Sequence, residues 1–234
     1  MSINPFNLFL KIYRFFKSIS KNQIQIKETL YFIEQNAILG SKRIRYKQLI
    51  SSNHTSWYEN FERANYIINI VKPKIIVDLG VDHGFSSFAF AFAKSGKVFA
   101  IDSFEGDTHA GLRNTFDEVN DLYKVIKSEF EISKIEFIKG YFEEIAKTWM
   151  DPIDLLHIDG FHSYDAVKSD FETWSKFFTP NTVVLFHDIV SFKETVGVYF
   201  DQIDGYKYKF NDYCGLGVWS LNENFIRQIR YFYN

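Results

Sequence analysis

The sequence predicts an α/β domain in which a mostly parallel β-sheet is covered by helices on both faces. Three observations carry this. Short runs that are apolar throughout, with no polar face, recur along the chain, as expected of strands buried on both sides. Segments of helical period separate them, which is the pattern of crossover connections. Four runs end at or beside an aspartate, Asp78, Asp102, Asp159 and Asp188. The C-terminal ends of parallel strands gather on one edge of the sheet, where ligands bind.

Taken in order, Lys74 to Leu79 is the first strand, and "GVDHGFSS" is a glycine-containing turn. "SSFAFAFAKSG" reads as a helix closing at Gly96, and Lys97 to Asp102 is the second strand. Phe116 to Phe130 has helical period, Ile135 to Ile138 is a third strand, and Gly140 to Trp149 a short helix. Asp154 to Asp159 is the fourth strand, Ser163 to Phe178 a helix, and Pro180-Asn181 a turn. Thr182 to His187 is the fifth strand and Phe192 to Ile203 a helix, followed by β-like runs at Tyr206 to Phe210 and Gly217 to Ser220. No internal repeat or low-complexity linker interrupts the pattern.

Composition bounds the function. A chain of 234 residues with 46% apolar and 19% aromatic residues builds one core and is neither disordered nor fibrous. Its one cysteine, Cys214, excludes an internal disulfide framework and a cysteine-built zinc site. Residues 1–50 hold nine Lys/Arg against two Glu, a net of +7, so the total of −2 leaves −9 for the rest. The body therefore has no basic excess for nucleic acid. No stretch approaches the ~20 apolar residues of a membrane span. Phe6, Phe9, Leu10, Tyr13 and Phe16 recur at helical spacing with Lys11, Arg14 and Lys17 between them. Residues 4–19 are thus expected to pack on the body or a second subunit, with peripheral contact to an anionic membrane surface as the alternative. The expected division is a helical N-terminal extension over 1–60 and a ligand-binding domain over 61–234.

The turn Gly80-Val81-Asp82-His83-Gly84 between a strand and a helix is of nucleotide-binding type. Glycines let backbone approach a ligand, and a helix N-terminus offers N–H groups. The spacing is G-x-x-x-G, not the G-x-G-x-x-G of a dinucleotide site. Asp102, about 20 residues on at the end of the next strand, is placed to accept hydrogen bonds from ribose hydroxyls. S-adenosylmethionine is a nucleoside ligand that needs no pyrophosphate cradle.

The stretches "VDLGVDHGFSSFAFA", "AIDSFEGDTHAG", "DLLHIDGFHSYDAVKSDFETW", "VVLFHDI" and "GLGVW" together resemble the class I S-adenosylmethionine-dependent methyltransferases. The closer likeness is to the small glycan- and polysaccharide-associated and macrolide-sugar O-methyltransferases. The resemblance covers roughly Ile75 to Trp219 and leaves residues 1–60 without a counterpart. It implies a Rossmann-like sheet of seven strands, the last antiparallel. It places Asp78, Gly80, Gly84, Ser86, Asp102, Ser103, Phe104 and Tyr141 about the cofactor. It assigns Asp159 and Asp188 to a divalent cation, magnesium or manganese, and His162 to the general base, with Asp159 beside it in catalysis. His187 is a departure: such relatives have an acid before the second aspartate. A histidine ligand favours manganese or iron over magnesium, and a site without metal stays open.

The chemistry suits these residue types. A hydroxyl is a weak nucleophile at neutral pH, and histidine has the pKa to take its proton. Asp107 and His109, in the loop after the second strand, are candidate substrate contacts, with an N-cap role for Asp107 or Thr108 as the alternative. His157 reads as a core residue, and His83 as either a cofactor-lining or a loop residue. The expected partners are a small-molecule or glycan acceptor and a second subunit, with a cytoplasmic location, at the inner face of the membrane if residues 4–19 lie on lipid. Two other classes stay open, a hydroxylase-type oxidoreductase of this fold and a non-catalytic nucleoside-binding partner of a biosynthetic complex.

Overall fold

The computed structural model describes residues 41–51, 55–108 and 111–233. The amphipathic segment 4–19 lies outside the described residues. In chain order the strands are β1 (Ile75–Leu79), β2 (Lys97–Asp102), β3 (Gly106–Asp107), β4 (Gly111–Leu112), β5 (Ile135–Lys139), β6 (Ile153–Ile158), β7 (Phe178–His187), β8 (Tyr206–Phe210) and β9 (Leu216–Ser220). The helices are α1 (Ser41–Ile50), α2 (Phe61–Val71), α3 (Phe85–Phe92), α4 (Phe116–Glu129), α5 (Phe142–Ala146), α6 (Tyr164–Trp174), α7 (Val198–Gln202) and α8 (Glu223–Tyr233).

Seven strands form one sheet in the order β5-β2-β1-β6-β7-β9-β8. The pairs from β5 through β7 are parallel, and β9 runs antiparallel to both β7 and β8. Each of the seven expected strands is present, and the last is the reversed one. The continuous apolar runs have a simple cause. Ile76, Leu155 and Leu185 enter a core on one face of the sheet, and Val77, Leu156, Val184 and Phe186 a core on the other. Alternate side chains on one strand are thus buried in different layers. The chain leaves β1 in one direction for β2 and β5 and returns on the other side for β6. The switch point therefore lies between β1 and β6.

The helix boundaries show where local chemistry decides. Ser163 precedes α6, and its hydroxyl accepts from the Ala166 N–H at 3.1 Å, a side-chain N-cap. The expected helix over 163–178 stops at Trp174, and β7 begins at Phe178, four residues before the expected strand. The segment from Phe192 splits into a π-type turn, Lys193–Gly197, and α7. The Gly197 N–H donates to the Phe192 carbonyl at 3.1 Å, and a Cβ at Gly197 would stand 2.6 Å from the Ile189 carbonyl oxygen. Close packing against the end of β7 therefore shapes that turn. The short β3–β4 hairpin and helices α1, α2 and α8 were not expected as separate elements. Helix α1 joins the core through Tyr46, which is fully buried and donates its hydroxyl to the Phe88 carbonyl at 2.7 Å.

Candidate active site

At the end of β1, Asp78 is fully buried. It accepts from the Ser86 hydroxyl at 2.8 Å, from the Ser87 hydroxyl, and from His157 Nδ1 at 2.6 Å. The chain then turns through Gly80 at φ +91°. A Cβ there would come within 2.0 Å of the Asp159 carbonyl oxygen. Gly80 is required here because the turns after β1 and β6 are in contact. Gly84, at φ +87°, is likewise crowded by the Phe88 ring, 2.7 Å from a notional Cβ.

At the end of β2, Asp102 organises the neighbouring turns. Its Oδ2 accepts from the N–H groups of Val81 at 2.8 Å and Asp82 at 3.0 Å, and its Oδ1 from Phe104 N–H at 2.7 Å. Three backbone donors fix the carboxylate, and a carboxylate has lone pairs left for further donors. Phe104 is itself buried at φ +58°.

The ends of β6 and β7 bring four titratable side chains together. His187 Nδ1 stands 3.2 Å from both Asp159 Oδ1 and Asp188 Oδ2. His162 Nε2 stands 3.0 Å from Asp188 Oδ2 and 3.5 Å from Asp159 Oδ1. An aromatic ring lies on each imidazole. Phe192 stacks on His162 at 4.2 Å with planes 6° apart, and Trp57 stacks on His187 at 5.5 Å. The Thr195 hydroxyl donates to the His162 carbonyl at 2.7 Å. Asp188 adopts φ +61°, a left-handed conformation that carboxamide and carboxylate residues tolerate better than most.

This grouping sets the charges. Burial disfavours the Asp159 anion, but the His187 charge and contacts to His162 and His187 outweigh it and hold the carboxyl well below the usual range. Asp188, by the same opposition, falls to about 2. Burial works against both imidazolium ions, yet the two carboxylates raise His162 to about 9 and His187 to about 10. The arrangement thus favours ionised carboxylates and protonated imidazoles over their neutral forms.

A cleft of about 570 Å³ joins these strand ends. Of the residues expected at the site, Gly80, Ser86, Asp102, Ser103, Phe104, Tyr141, Asp159, His162 and Asp188 line it. Asp78, expected at the cofactor, lies behind the wall. Its carboxylate is taken up by Ser86, Ser87 and His157 and reaches the cleft only through Ser86. His187, expected as a metal ligand, is also behind the wall, hydrogen-bonded to Asp159 and in ion-pair range of Asp188. The ligand atoms that converge are instead those of Asp159, His162 and Asp188, within 4.8 Å of one another. Two carboxylates and one imidazole fit a divalent cation such as manganese or iron. Asp107 contributes its backbone to β3, paired with Gly111, and His109 lies outside the described residues. The sequence reading did not single out Trp57, Arg113, Phe142, Phe161 or Phe192, all of which line the cleft. Nothing local marks them. The hairpin carries Arg113 to the site and the π-type turn carries Phe192.

The strand order, the cleft at the switch point and the acid closing β2 define the class as that of the class I S-adenosylmethionine-dependent methyltransferase fold. Within the chain, residues 77–189 match the family model described as a methyltransferase domain. Over 140 residues the chain is 32% identical to an uncharacterized protein of Sinorhizobium fredii, a match taking in 58% of this chain and 15% of that protein. The chain thus spans a small part of that relative's length. The calicheamicin methyltransferase CalS11 shares the fold with a TM-score of 0.56 at 14% identity, over 76% of this chain and 91% of its own. An O-methyltransferase of Bacillus cereus, solved in complex with S-adenosylhomocysteine, superposes with a TM-score of 0.55 at 14% identity, over 78% of this chain and 91% of its own.

Proposed function

We propose that the protein transfers the methyl group of S-adenosylmethionine to a hydroxyl of a sugar or other polyhydroxy acceptor. One observation carries the reading: a single cleft runs from Asp102 and its backbone-held turn to Asp159, His162 and Asp188. A nucleoside anchor and a hydroxyl-activating cluster thus share one space. The methyltransferase-domain match over residues 77–189 favours this over a hydroxylase or a non-catalytic partner. CalS11, described as a TDP-rhamnose 3'-O-methyltransferase, is consistent with a sugar acceptor.

In this reading Asp102 takes the ribose hydroxyls on its remaining lone pairs, and the turn from Gly80 to Gly84 walls the amino-acid end. S-adenosylmethionine supplies an electrophilic methyl group on a sulfonium. Asp159 and Asp188 hold the acceptor's hydroxyls so that the reacting oxygen lies in line with that methyl, a gain of positioning. His162 takes the hydroxyl proton. It serves as a base only once its own proton has left, and the two carboxylates oppose that loss up to about pH 9. A divalent cation held by Asp159, Asp188 and His162 would supply the same positive charge and raise the acidity of a bound hydroxyl. The cation and the His162 proton would therefore exclude one another, and with a cation bound His162 would be a ligand and not the base.

The test is calorimetry with S-adenosylhomocysteine, followed by turnover of a panel of free and nucleotide-linked sugars with and without manganese and chelator. Binding with a methylated product supports the reading. Absence of binding by S-adenosylhomocysteine overturns it, and binding with turnover confined to non-hydroxyl acceptors overturns the hydroxyl assignment.

A further inference from the structure

Arg113 follows β4 at the base of the hairpin, and its side chain lines the cleft. Among the described lining residues it is the one Lys or Arg, facing the acids Asp82, Asp102, Asp159 and Asp188. Its Nη2 stands 2.8 Å from Asp82 Oδ1. Its Nε is buried and has no hydrogen-bond partner in the protein. The backbone is fixed as well: Arg113 N–H donates to the Glu105 carbonyl at 3.0 Å, and Thr115 N–H to the Phe104 carbonyl at 3.2 Å. The same loop carries Asp102, so the guanidinium is set at a fixed place relative to the nucleoside anchor.

A permanent cation thus lines the cleft with about a third of its side-chain surface open, so part of the guanidinium can be reached by a ligand. The planar fork of a guanidinium matches two oxygens of a carboxylate or phosphate. An anionic ligand group entering a cleft lined by four acids needs such a counter-charge. We infer that Arg113 is the oxyanion-recognising residue of the cleft. It pairs with the carboxylate of the cofactor's amino-acid end or with a phosphate carried by the acceptor. The inference rests on the methyl-transfer reading. Asp82 holds the fork in place until the ligand arrives.

The experiment uses the full chain and three probes in calorimetry: S-adenosylhomocysteine, 5'-methylthioadenosine, which lacks the amino-acid end, and inorganic pyrophosphate added to the S-adenosylhomocysteine complex. If the cofactor carboxylate is the partner, Arg113→Ala weakens S-adenosylhomocysteine on the order of 10- to 100-fold and leaves 5'-methylthioadenosine unchanged. If an acceptor phosphate is the partner, S-adenosylhomocysteine is unchanged and pyrophosphate binding is lost. Arg113→Lys falls between wild type and Arg113→Ala in either case, because it keeps the charge and loses the fork. Equal weakening of S-adenosylhomocysteine and 5'-methylthioadenosine overturns the inference, since Arg113 would then only anchor the loop. So does an Arg113→Ala variant that changes neither anion. A wild-type chain that binds neither nucleoside probe overturns the methyl-transfer reading itself, and this inference with it.

Discussion

Asp102 faces three backbone N–H groups, whereas Asp159 and Asp188 face two imidazoles. Both regions are strand-end carboxylates of one sheet, yet they are stabilised by different material. Backbone amides do not titrate, so the donors that hold the β2 end are the same at every pH. The β6–β7 end is neutralised by protons, so its charge changes with pH and with any cation that competes. On the proposed reading, a fixed anchor suits an invariant nucleoside, and a titrating cluster suits the end where a proton has to move.

The largest expected break in that contrast is at His162. On the proposed role of base, His162→Ala should lower kcat by on the order of 10²- to 10⁴-fold, while S-adenosylhomocysteine binds as before in calorimetry. A near-wild-type rate would move the base elsewhere. Asp102→Asn is the matching change at the other end. It removes the anion but keeps an acceptor oxygen, and it should cost about 1–3 kcal/mol of S-adenosylhomocysteine affinity, the worth of charge-assisted hydrogen bonds. Unchanged affinity in the folded variant would remove the ribose from Asp102.

The pH response sharpens the comparison. The two histidines have raised pKa values, so their contribution to stability is complete below the ordinary value of 6.5. It is lost as pH rises through about 9 and about 10. The two aspartates have lowered values, so theirs is complete above 3.8 and lost as pH falls through about 2 for Asp188 and lower still for Asp159. Asp170, pushed up to about 7 by burial and then by Glu143, also loses stability as pH rises through that value, but it does so alike in the wild type and in a His162 variant. Urea unfolding of the metal-free protein at pH 7.5 and 10 should therefore show stability falling, with a smaller fall in His162→Gln. Equal slopes in the two proteins would contradict the charge arrangement. The smallest effect is expected at Ser163→Ala, which removes the N-cap of α6 and should cost about 0.5–2 kcal/mol in unfolding. A loss of turnover out of proportion to that cost would show that the helix start also sets the position of His162.

The sheet was legible because both-face burial writes itself as uninterrupted apolar runs, and the edge because an aspartate at or beside four strand ends is visible in one dimension. Asp159, His162 and Asp188 were legible for the same reason. Asp78 and His187 misled the reading because a strand-end acid or histidine has the same spelling whether it points into the cleft or behind it. Only the packing of Ser86, Ser87 and Trp57 decides that. Arg113 left no local signal, since the hairpin that carries it to the site is held by two-residue strands.

Gly80 carries a consequence for how such a chain can diversify. With the turn after β1 resting against the Asp159 carbonyl, the donor and acceptor sides of the proposed reaction share one wall. No side chain can be added at that wall without moving both substrates at once. Lineages that adopt a bulkier acceptor thus have to gain room elsewhere, at the hairpin near Arg113 or around Tyr141 and Phe142. Variation should collect there while the strand ends stay constant.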